Sequence, residues 1–300
     1  MLPRDSCPRI EACVSSPVPE KVLIAGLGYV GLPLARHLLA SGCEVSGLTA
    51  SLESAERLRT ESFAVYPIDI GIAAGFNRLP NRHFDVVIHC ASSGRGGAES
   101  YRAVFLEGTK NLLSSLDVGH LLFAGSTSVY AQTDGSWVSE ESPAAPQRET
   151  GQILLEAENL VLRHGGKVAR LAGLYGAGRC VPLDRLLAGT ALLEGGGHRI
   201  MNSLHQADAV NALAFLAEAK AGGIFNISDN QPVSQREWFE WVCSLLGARL
   251  PPAGPVNLNR KRGWTNKRVS NEKLRALGWE PRYPSFREGM TEILAGVRSR

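Results

Sequence analysis

The sequence predicts an α/β protein built on a doubly wound parallel sheet. Short β-branched and apolar strands alternate with amphipathic helices from Lys21 to about Leu171, and such alternation implies crossover connections. Of 300 residues, 44% are hydrophobic and 20% are charged, which is typical of an ordinary globular protein. A glycine-rich turn separates the first strand from the first helix. Together these observations favour a fold whose ligand lies at the carboxyl ends of parallel strands.

Hydrophobic periodicity gives the order of the elements in the predicted sheet. Strands are predicted at Lys21–Ala25, Glu44–Leu48, Phe63–Tyr66, Phe84–Cys90, His120–Ala124 and Lys167–Leu171. Helices are predicted at Leu32–Ala40, Glu53–Arg59, Glu99–Leu116 and Glu149–Arg163. Each of these helices falls between two strands, as the connection of parallel strands requires.

Beyond about Gly173 the alternation weakens. The segments that still show a pattern are a glycine patch at Gly195–Gly197, a helix at Gln206–Ala219, a strand at Gly223–Ile227 and a helix at Gln235–Leu246. A proline-rich loop then leads into a basic stretch and two short helical patterns. We therefore expect residues 173–300 to form a smaller lobe that is partly interleaved with the first sheet.

Charge and cysteine usage narrow the classes of function. The 32 basic and 29 acidic residues leave a net charge of +3, too small for a protein that neutralises a phosphate backbone, so no nucleic-acid partner is expected. The six cysteines form no CxxC pair and no zinc-type cluster, which predicts reduced thiols, a cytoplasmic location and no metal.

No apolar run approaches the ~20 residues of a bilayer span. Residues 1–20 lack the apolar core of a secretory signal and are predicted to be a disordered tail.

The run Gly26-Leu27-Gly28-Tyr29-Val30-Gly31 fits the GxGxxG pattern between a strand and a helix. Gly26 permits a tight turn, Gly28 lets the backbone approach a pyrophosphate, and Gly31 lets the helix lie close to the strand. The helix N-terminus then directs N–H groups and the positive end of its dipole at the anion. The pattern predicts a Rossmann-type dinucleotide-binding domain over residues 21–172. The alternative is a turn that merely connects strand and helix.

The end of the second strand bears on the choice between NAD and NADP. An NAD site usually has an Asp or Glu there to accept a hydrogen bond from the ribose 2′-hydroxyl. Here Thr49 and Ser51 flank an alanine, so nothing repels a 2′-phosphate, and these hydroxyls and Arg57 can donate to one. NADP is therefore preferred, although the basic residue expected at the strand end is also missing. Asp69, after the third strand, is interpreted as an adenine contact or as a solvent-facing loop acid.

Several stretches, taken together, resemble the extended and atypical short-chain dehydrogenase/reductases of the NAD-dependent epimerase/dehydratase group. They are the glycine turn, FAGSTSVY at 123–130, RLAGLYG at 170–176, NSLHQAD at 202–208 and FNIS at 225–228. The resemblance extends in the expected order from Lys21 to the C-terminus. It implies a small C-terminal substrate lobe and an oxidoreductase, epimerase or dehydratase that acts on a hydroxylated small molecule such as a sugar nucleotide.

The resemblance also implies a catalytic pattern that this sequence only partly has. In the family a tyrosine acts as acid or base, a lysine four residues later lowers its pKa, and an upstream serine or threonine bonds the same oxygen. Ser126, with Thr127 beside it, matches the upstream hydroxyl. The tyrosine and lysine positions hold Thr150 and Leu154, so the YxxxK pair is absent. A threonine hydroxyl is too weak an acid to replace a lysine-tuned phenol.

Two titratable residues remain as candidates for the proton transfer. His205 has an ordinary pKa near 6.5 and is the better candidate, although the family commonly has a structural histidine there. Tyr130 is the nearest phenol in sequence, at a position where the family has a packing tyrosine. The alternative function is a dinucleotide sensor or regulator that kept the cofactor turn and lost the catalytic pair. A third interpretation is an epimerase that recycles a tightly bound cofactor.

Other residues are expected at the crevice because they match the family's cofactor and substrate segments. Ala91 and Ser92 follow the fourth strand, where relatives have small residues against the cofactor. Arg95, Tyr175 and Arg179 are expected to contact the substrate.

Two further expectations concern the basic stretch and the quaternary state. Lys267 or Arg268 can reach a phosphate or carboxylate of the ligand, and a solvated basic face is the other interpretation. Relatives are often dimers through two helices, which correspond here to Glu99–Leu116 and Glu149–Arg163. The resemblance therefore implies a homodimer.

Overall fold

The computed structural model describes residues 20–94, 96–258 and 263–298. The tail predicted at the N-terminus, up to residue 19, lies outside the described residues. Arg95, an expected substrate contact, lies outside them as well. Both expectations therefore stay predictions.

The described chain alternates strands and helices over its first half and becomes irregular afterwards. The strands are β1 (Lys21–Ala25), β2 (Glu44–Thr49), β3 (Ala64–Pro67), β4 (His83–His89), β5 (Asp117–Ser126), β6 (Trp137–Val138), β7 (Lys167–Leu171), β8 (Gly173–Tyr175), β9 (Leu193–Glu194), β10 (Ile200–Met201), β11 (Ser203–His205), β12 (Gly223–Ile227), β13 (Val233–Ser234), β14 (Ala253–Gly254) and β15 (Arg268–Val269). The helices are α1 (Gly31–Ala40), α2 (Leu52–Arg57), α3 (Ala98–Tyr101), α4 (Gly108–Ser115), α5 (Glu149–Arg163), α6 (Val181–Leu187), α7 (Gln206–Glu218), α8 (Gln235–Leu246), α9 (Glu272–Arg275) and α10 (Phe286–Arg298).

A seven-stranded sheet forms the centre of the molecule, in the order β12-β7-β5-β4-β1-β2-β3. Every neighbouring pair in it is parallel. The prediction of a doubly wound Rossmann-type sheet is confirmed. Strand order reverses between β1 and β4, and in such sheets the ligand crevice opens at the carboxyl ends of the strands beside this point.

Alternating side chains of β1 belong to two hydrophobic clusters, one on each face of the sheet. Val22 and Ile24 pack on one face with apolar residues of α1 and α7. Leu23 and Ala25 point to the other face, where α5 and the segment from α3 to α4 pack. This alternation is the period of two that a strand covered on both faces requires.

One predicted helix is interrupted in the structure. The sequence pattern predicts a single helix at Glu99–Leu116, but α3 is followed by a π-helical turn at Arg102–Glu107 before α4 begins. A π turn inserts an extra residue into the helical ladder, and hydrophobic periodicity over a few residues does not register it.

The smaller lobe has a hydrophobic cluster of its own. Its largest members are Tyr175, Trp238, Phe239 and Phe286, which come from β8, α8 and α10. Between them the chain returns to the central sheet, where β12 pairs with β7 and α7 packs beside α1. Thus β12 and α7 pack with the central sheet, although they lie between β8 and α8 in sequence. Among the described residues no helix is both long and apolar enough to span a bilayer.

Candidate active site

The glycine turn between β1 and α1 adopts a backbone that side chains would block. Gly26 has a φ of +102°, and a Cβ built on it would lie 2.4 Å from the Cα of Ala91. A Cβ on Gly31 would lie 1.9 Å from the Gly26 carbonyl oxygen. Both glycines are therefore required for the close approach of β1, α1 and the end of β4.

Gly28 differs from its two neighbours because a Cβ there would meet no atom within 4 Å. The space above this residue is open, as the approach of a diphosphate requires. Val30 caps α1 and makes no side-chain hydrogen bond to the helix. The Leu32 and Leu34 N–H groups donate to the carbonyl oxygens of Gly28 and Val30 at 3.1 Å, and Pro33 has no N–H. The Gly31 N–H is therefore the first-turn donor that remains for an anion at the positive end of the helix dipole.

A cleft of about 1410 Å³ begins at this turn and extends into the smaller lobe. Its wall on the sheet side includes Gly26, Leu27, Gly28, Tyr29, Val30, Thr49, Ala50, Cys90, Ala91, Ser92, Ser126, Thr127 and Ser128. Its wall on the other side includes Tyr175, Arg179, Arg185, Glu194, Arg199, Asn202, Gln235, Trp238, Thr265 and Lys267. Most of the expected site residues therefore meet in one place.

Three residues expected near the nucleotide base and ribose have different surroundings. Thr49 lines the cleft and donates a hydrogen bond to the Ser51 carbonyl oxygen at 3.3 Å. Ser51 caps α2 by accepting from the Ser54 N–H, and Ser54 rather than Ser51 faces the cleft. Asp69 accepts a hydrogen bond from the Gly71 N–H at 2.9 Å and borders a separate, small pocket.

The hydroxyls of Ser126 and Thr127 lie at the carboxyl end of β5, at the cleft wall. Ser126 Oγ accepts a hydrogen bond from the Ser128 N–H at 3.2 Å, which fixes its position at the start of a short 3₁₀ turn. Thr150 and Leu154, at the positions of the missing pair, belong to α5 and do not line the cleft. Leu154 is packed in the hydrophobic core.

The two candidates for proton transfer are both held in structural roles. The Tyr130 hydroxyl donates to Asn226 Oδ1 at 2.9 Å in a fully buried position, and burial raises the pKa of Tyr130. His205 Nδ1 accepts from the Ala207 N–H at 3.2 Å and so caps α7. Burial lowers the pKa of His205. Neither residue is part of the cleft wall.

Tyr175 and Arg179, expected at the substrate, do line the cleft. The Arg179 guanidinium lies 5.0 Å from the centre of the Tyr29 ring, so it links the smaller lobe to the glycine turn. The Tyr175 ring packs edge-on against His205 at 5.2 Å. Burial, with the nearby carboxylate of Asp229, raises the pKa of Tyr175 well above its usual value.

Several polar residues of the second wall were not predicted from the sequence. Arg185, Glu194, Arg199, Asn202 and Gln235 all line the cleft. Several of them lie in or beside very short strands, and the pairs that position these strands join distant parts of the chain, such as β9, which contains Glu194, with β14. The family-like run at residues 202–208, which includes Asn202, is the sequence pattern that points to this wall of the cleft.

Lys267 also lines the cleft and is buried, so it does not belong to a solvated basic face. Its ammonium donates to the Tyr130 carbonyl oxygen at 3.0 Å and to Thr265 Oγ1 at 2.9 Å. Burial and the charge of Arg199 lower the pKa of Lys267 to about 8.

The parallel sheet, the glycine turn and the adjoining cleft define a Rossmann-type nucleotide-binding protein of the α/β class. The model of the NAD dependent epimerase/dehydratase family matches residues 22–228. The chain belongs to this NAD-dependent family, as the sequence resemblance predicted.

Relatives match the chain over nearly its full length. Protein YeeZ of Escherichia coli K12 is 29% identical over 276 residues, which cover 88% of this chain and 97% of YeeZ. The 3-diazoavenalumate denitrifying reductase of a Streptomyces species is 29% identical over 303 residues, covering 90% and 99%. A solved structure of MoeE5 in complex with UDP-glucose and NAD has a TM-score of 0.76 at 23% identity, covering 93% of this chain and 99% of MoeE5.

Proposed function

We propose that this protein is an NADP-dependent oxidoreductase that acts on an anionic, hydroxylated small molecule of the sugar-nucleotide class. The observation that carries the proposal is the cleft of about 1410 Å³ that joins the glycine turn to the smaller lobe. Pockets for one drug-sized ligand measure about 300–1000 Å³. This cleft therefore has room for a dinucleotide and a second molecule beside it.

In this proposal the main-chain N–H groups of the glycine turn and of the start of α1 bind the dinucleotide diphosphate. The residues fit such a group because Gly28 leaves open space where a Cβ would stand. When bound, the nicotinamide exchanges a hydride with the substrate. Ser126 and Thr127, at the end of β5, hydrogen-bond the reacting oxygen of the substrate.

The preference for NADP rests on the cleft edge beyond β2. No carboxylate stands at residues 49–51, and Ser54 and Arg57 of α2 line this edge. A guanidinium presents several N–H donors in a planar fork that matches phosphate oxygens. We therefore assign the 2′-phosphate contact to Arg57 and Ser54, with Thr49 beside them.

The substrate class rests on the charge of the second wall. Arg179, Arg185 and Arg199 line it together with one carboxylate, Glu194. This excess of positive charge favours an anionic ligand such as the diphosphate of a sugar nucleotide. The presence of UDP-glucose and NAD together in MoeE5, which shares the fold, supports the same class.

A second candidate function is a dinucleotide sensor without catalysis. The observation that favours it is the core position of Leu154, an apolar side chain where the family has its lysine. A screen of sugar nucleotides and simple carbonyls, followed by the absorbance of reduced nicotinamide, separates the two functions. We expect turnover with at least one compound, whereas tight coenzyme binding without any turnover would favour the sensor.

The dinucleotide site itself is tested by Gly28→Ala. Because nothing in the protein opposes a Cβ at this position, we expect the variant to fold normally. The added methyl group would occupy the space proposed for the diphosphate, so NADPH affinity should fall at least about tenfold, a change of about 1.4 kcal/mol. Calorimetric titration with NADPH measures the affinity, and thermal unfolding measures the stability.

Gly222→Ala is the matched control, since a Cβ there also meets no atom within 4 Å and Gly222 lies outside the cleft. We expect this variant to bind NADPH as the wild type does. Equal affinity in Gly28→Ala and the wild type would contradict the proposed position of the diphosphate.

Two further properties belong to this proposal. We propose a cytoplasmic location, as the use of unpaired cysteines suggests, and a homodimer through α5 and the segment from α3 to α4. Cell fractionation and light scattering after gel filtration test them, and a monomer at micromolar concentration would contradict the second.

A further inference from the structure

The amine of Lys267 is held at a defined point of the cleft wall. Its Nζ lies 3.0 Å from the Tyr130 carbonyl oxygen, at the end of the 3₁₀ turn that begins directly after Ser126. The second bond, to Thr265 Oγ1, is 2.9 Å long. An ammonium has three N–H donors, and these two acceptors are its partners among the described residues. The third N–H therefore remains for a group inside the cleft.

The segment that carries Lys267 is tied to both lobes. Asn202, next to β11, donates to the Lys267 carbonyl oxygen at 2.9 Å and accepts from the Val269 N–H at 2.7 Å. On the other side the Asn266 N–H donates to Gln132, and β15 pairs with β6. A side chain on such an anchored segment loses little freedom when it meets a ligand, which is what a reacting group needs.

Two thiols and two phenols of the cleft are poorly suited to supply a proton near neutral pH. Burial raises the pKa of Cys90 to about 12 and that of Cys180 to about 11. Burial also raises the pKa of the phenols Tyr29 and Tyr175. Efficient proton transfer requires a pKa close to the working pH.

We propose that Lys267 is the proton donor to the substrate oxygen and replaces, from the smaller lobe, the missing Tyr/Lys pair. This inference rests on the proposed oxidoreductase function. It assigns an acid to a site in which Thr150 and Leu154, at the positions of the family's tyrosine and lysine, do not line the cleft.

The proton and electron balance of the step is simple. The reduced nicotinamide dinucleotide supplies a hydride, with two electrons, to the carbonyl carbon of the substrate, and the π electrons of the C=O bond move to its oxygen. The Lys267 ammonium gives one proton to this oxygen, so that an alcohol and a neutral amine result. Solvent then returns one proton to the amine. In the opposite direction the neutral amine accepts the proton of the alcohol.

The electrostatic surroundings of Lys267 suit this role. Burial, assisted by the positive charge of Arg199, lowers the pKa of the amine to about 8. At neutral pH most of the amine is protonated, and it gives up its proton more readily than an exposed lysine does.

The first test compares Lys267→Met and Lys267→Arg with the wild type. Methionine removes the proton, and arginine keeps the charge but has a pKa above about 12, so both should lower kcat by about 10²–10⁴-fold. NADPH affinity, measured by calorimetry, should stay unchanged in both variants. The control is Lys220→Met, an exposed lysine outside the cleft, which should behave as the wild type.

The second test needs no turnover. The ¹³Cε signals of the lysines are followed against pH by NMR, and the signal missing from Lys267→Arg is that of Lys267. We expect it to titrate near pH 8. Lys167 lies outside the cleft, and burial lowers its pKa to about 8 as well. Its signal is therefore the reference with which the titration of Lys267 is compared.

The outcomes separate the inference from the function on which it rests. Wild-type turnover that Lys267→Met retains, or a Lys267 signal that titrates near the ordinary value of about 10.4, would overturn the role of Lys267 alone. NADPH binding by the wild type without hydride transfer to any compound would overturn the oxidoreductase function, and the proton-donor role with it.

Discussion

Arg57 stands at the end of α2, where its guanidinium lies 3.0 Å from Ser54 Oγ and 3.4 Å from Glu53 Oε1. Both contacts are exposed and screened by solvent, so the Arg57 side chain can turn to a phosphate at little cost in free energy. We expect Arg57→Ala to weaken NADPH binding about tenfold or more, the effect of losing one charge-assisted hydrogen bond. NADH affinity should not change, because NADH lacks the 2′-phosphate. Calorimetric titration of both coenzymes measures the difference.

Arg59→Ala is the matched control for Arg57. Arg59 is an exposed arginine two residues further on, where it pairs with Glu56 at 3.2 Å and does not line the cleft. Its removal should leave both affinities unchanged. If Arg57→Ala reduced NADH and NADPH binding equally, the assignment of the 2′-phosphate to Arg57 would be wrong.

At the scale of single residues, sequence reasoning reaches the site where the signal is local. The glycine turn has a fixed spacing between two regular elements, and Ser126 and Thr127 follow a strand. The burial of Lys267 has no such signal, since its acceptor Tyr130 is more than a hundred residues away. Ser54 has no local signal either, because the sequence does not show that Ser51 caps α2 while Ser54, three residues later, lines the cleft.

At the scale of elements, α7 depends on a histidine cap. His205 Nδ1 accepts from the Ala207 N–H, and the ring packs on Tyr283 with 4.1 Å between ring centres. Both His205→Ala and His205→Asn lose this packing, but asparagine keeps a capping oxygen. We therefore expect the alanine variant to be less stable than the asparagine variant by about 1 kcal/mol in urea unfolding.

The same pair of variants tests the sequence-based proposal that His205 is catalytic. A residue that only caps α7 allows turnover in His205→Asn, measured under conditions where the variant stays folded. Loss of turnover with normal NADPH affinity would instead support a role in proton transfer.

Elements with strong local periodicity have the bounds that the sequence predicts. β1, β7, β12, α5 and α8 agree at both ends. The short strands of the smaller lobe have two or three residues each, and long-range pairs such as β15 with β6 stabilise them. Periodicity needs several residues to emerge, so these strands could not be predicted from the sequence.

At the scale of the whole molecule, two buried groups give opposite pH dependence to the stability. Burial lowers the pKa of His89 from 6.5 to about 4. Between these two pH values the unfolded chain therefore binds a proton that the folded protein does not bind. Burial raises the pKa of Asp229 from 3.8 to about 8, so the folded protein holds a proton that the unfolded chain releases. As pH falls from 6.5 to 4, His89 therefore destabilises the fold and Asp229 stabilises it.

Because the two effects oppose each other in the wild type, variants are needed to separate them. Burial also lowers the pKa of His120 to about 4, so His120 contributes acid destabilisation in both the wild type and His89→Gln. We expect His89→Gln to remove only the contribution of His89, so that between pH 6.5 and pH 4 the variant loses about 3 kcal/mol less stability than the wild type. Asp229→Asn should change the profile in the opposite direction. Urea unfolding across this pH range gives both profiles, and parallel curves for the wild type and His89→Gln would show that His89 is protonated in the folded protein.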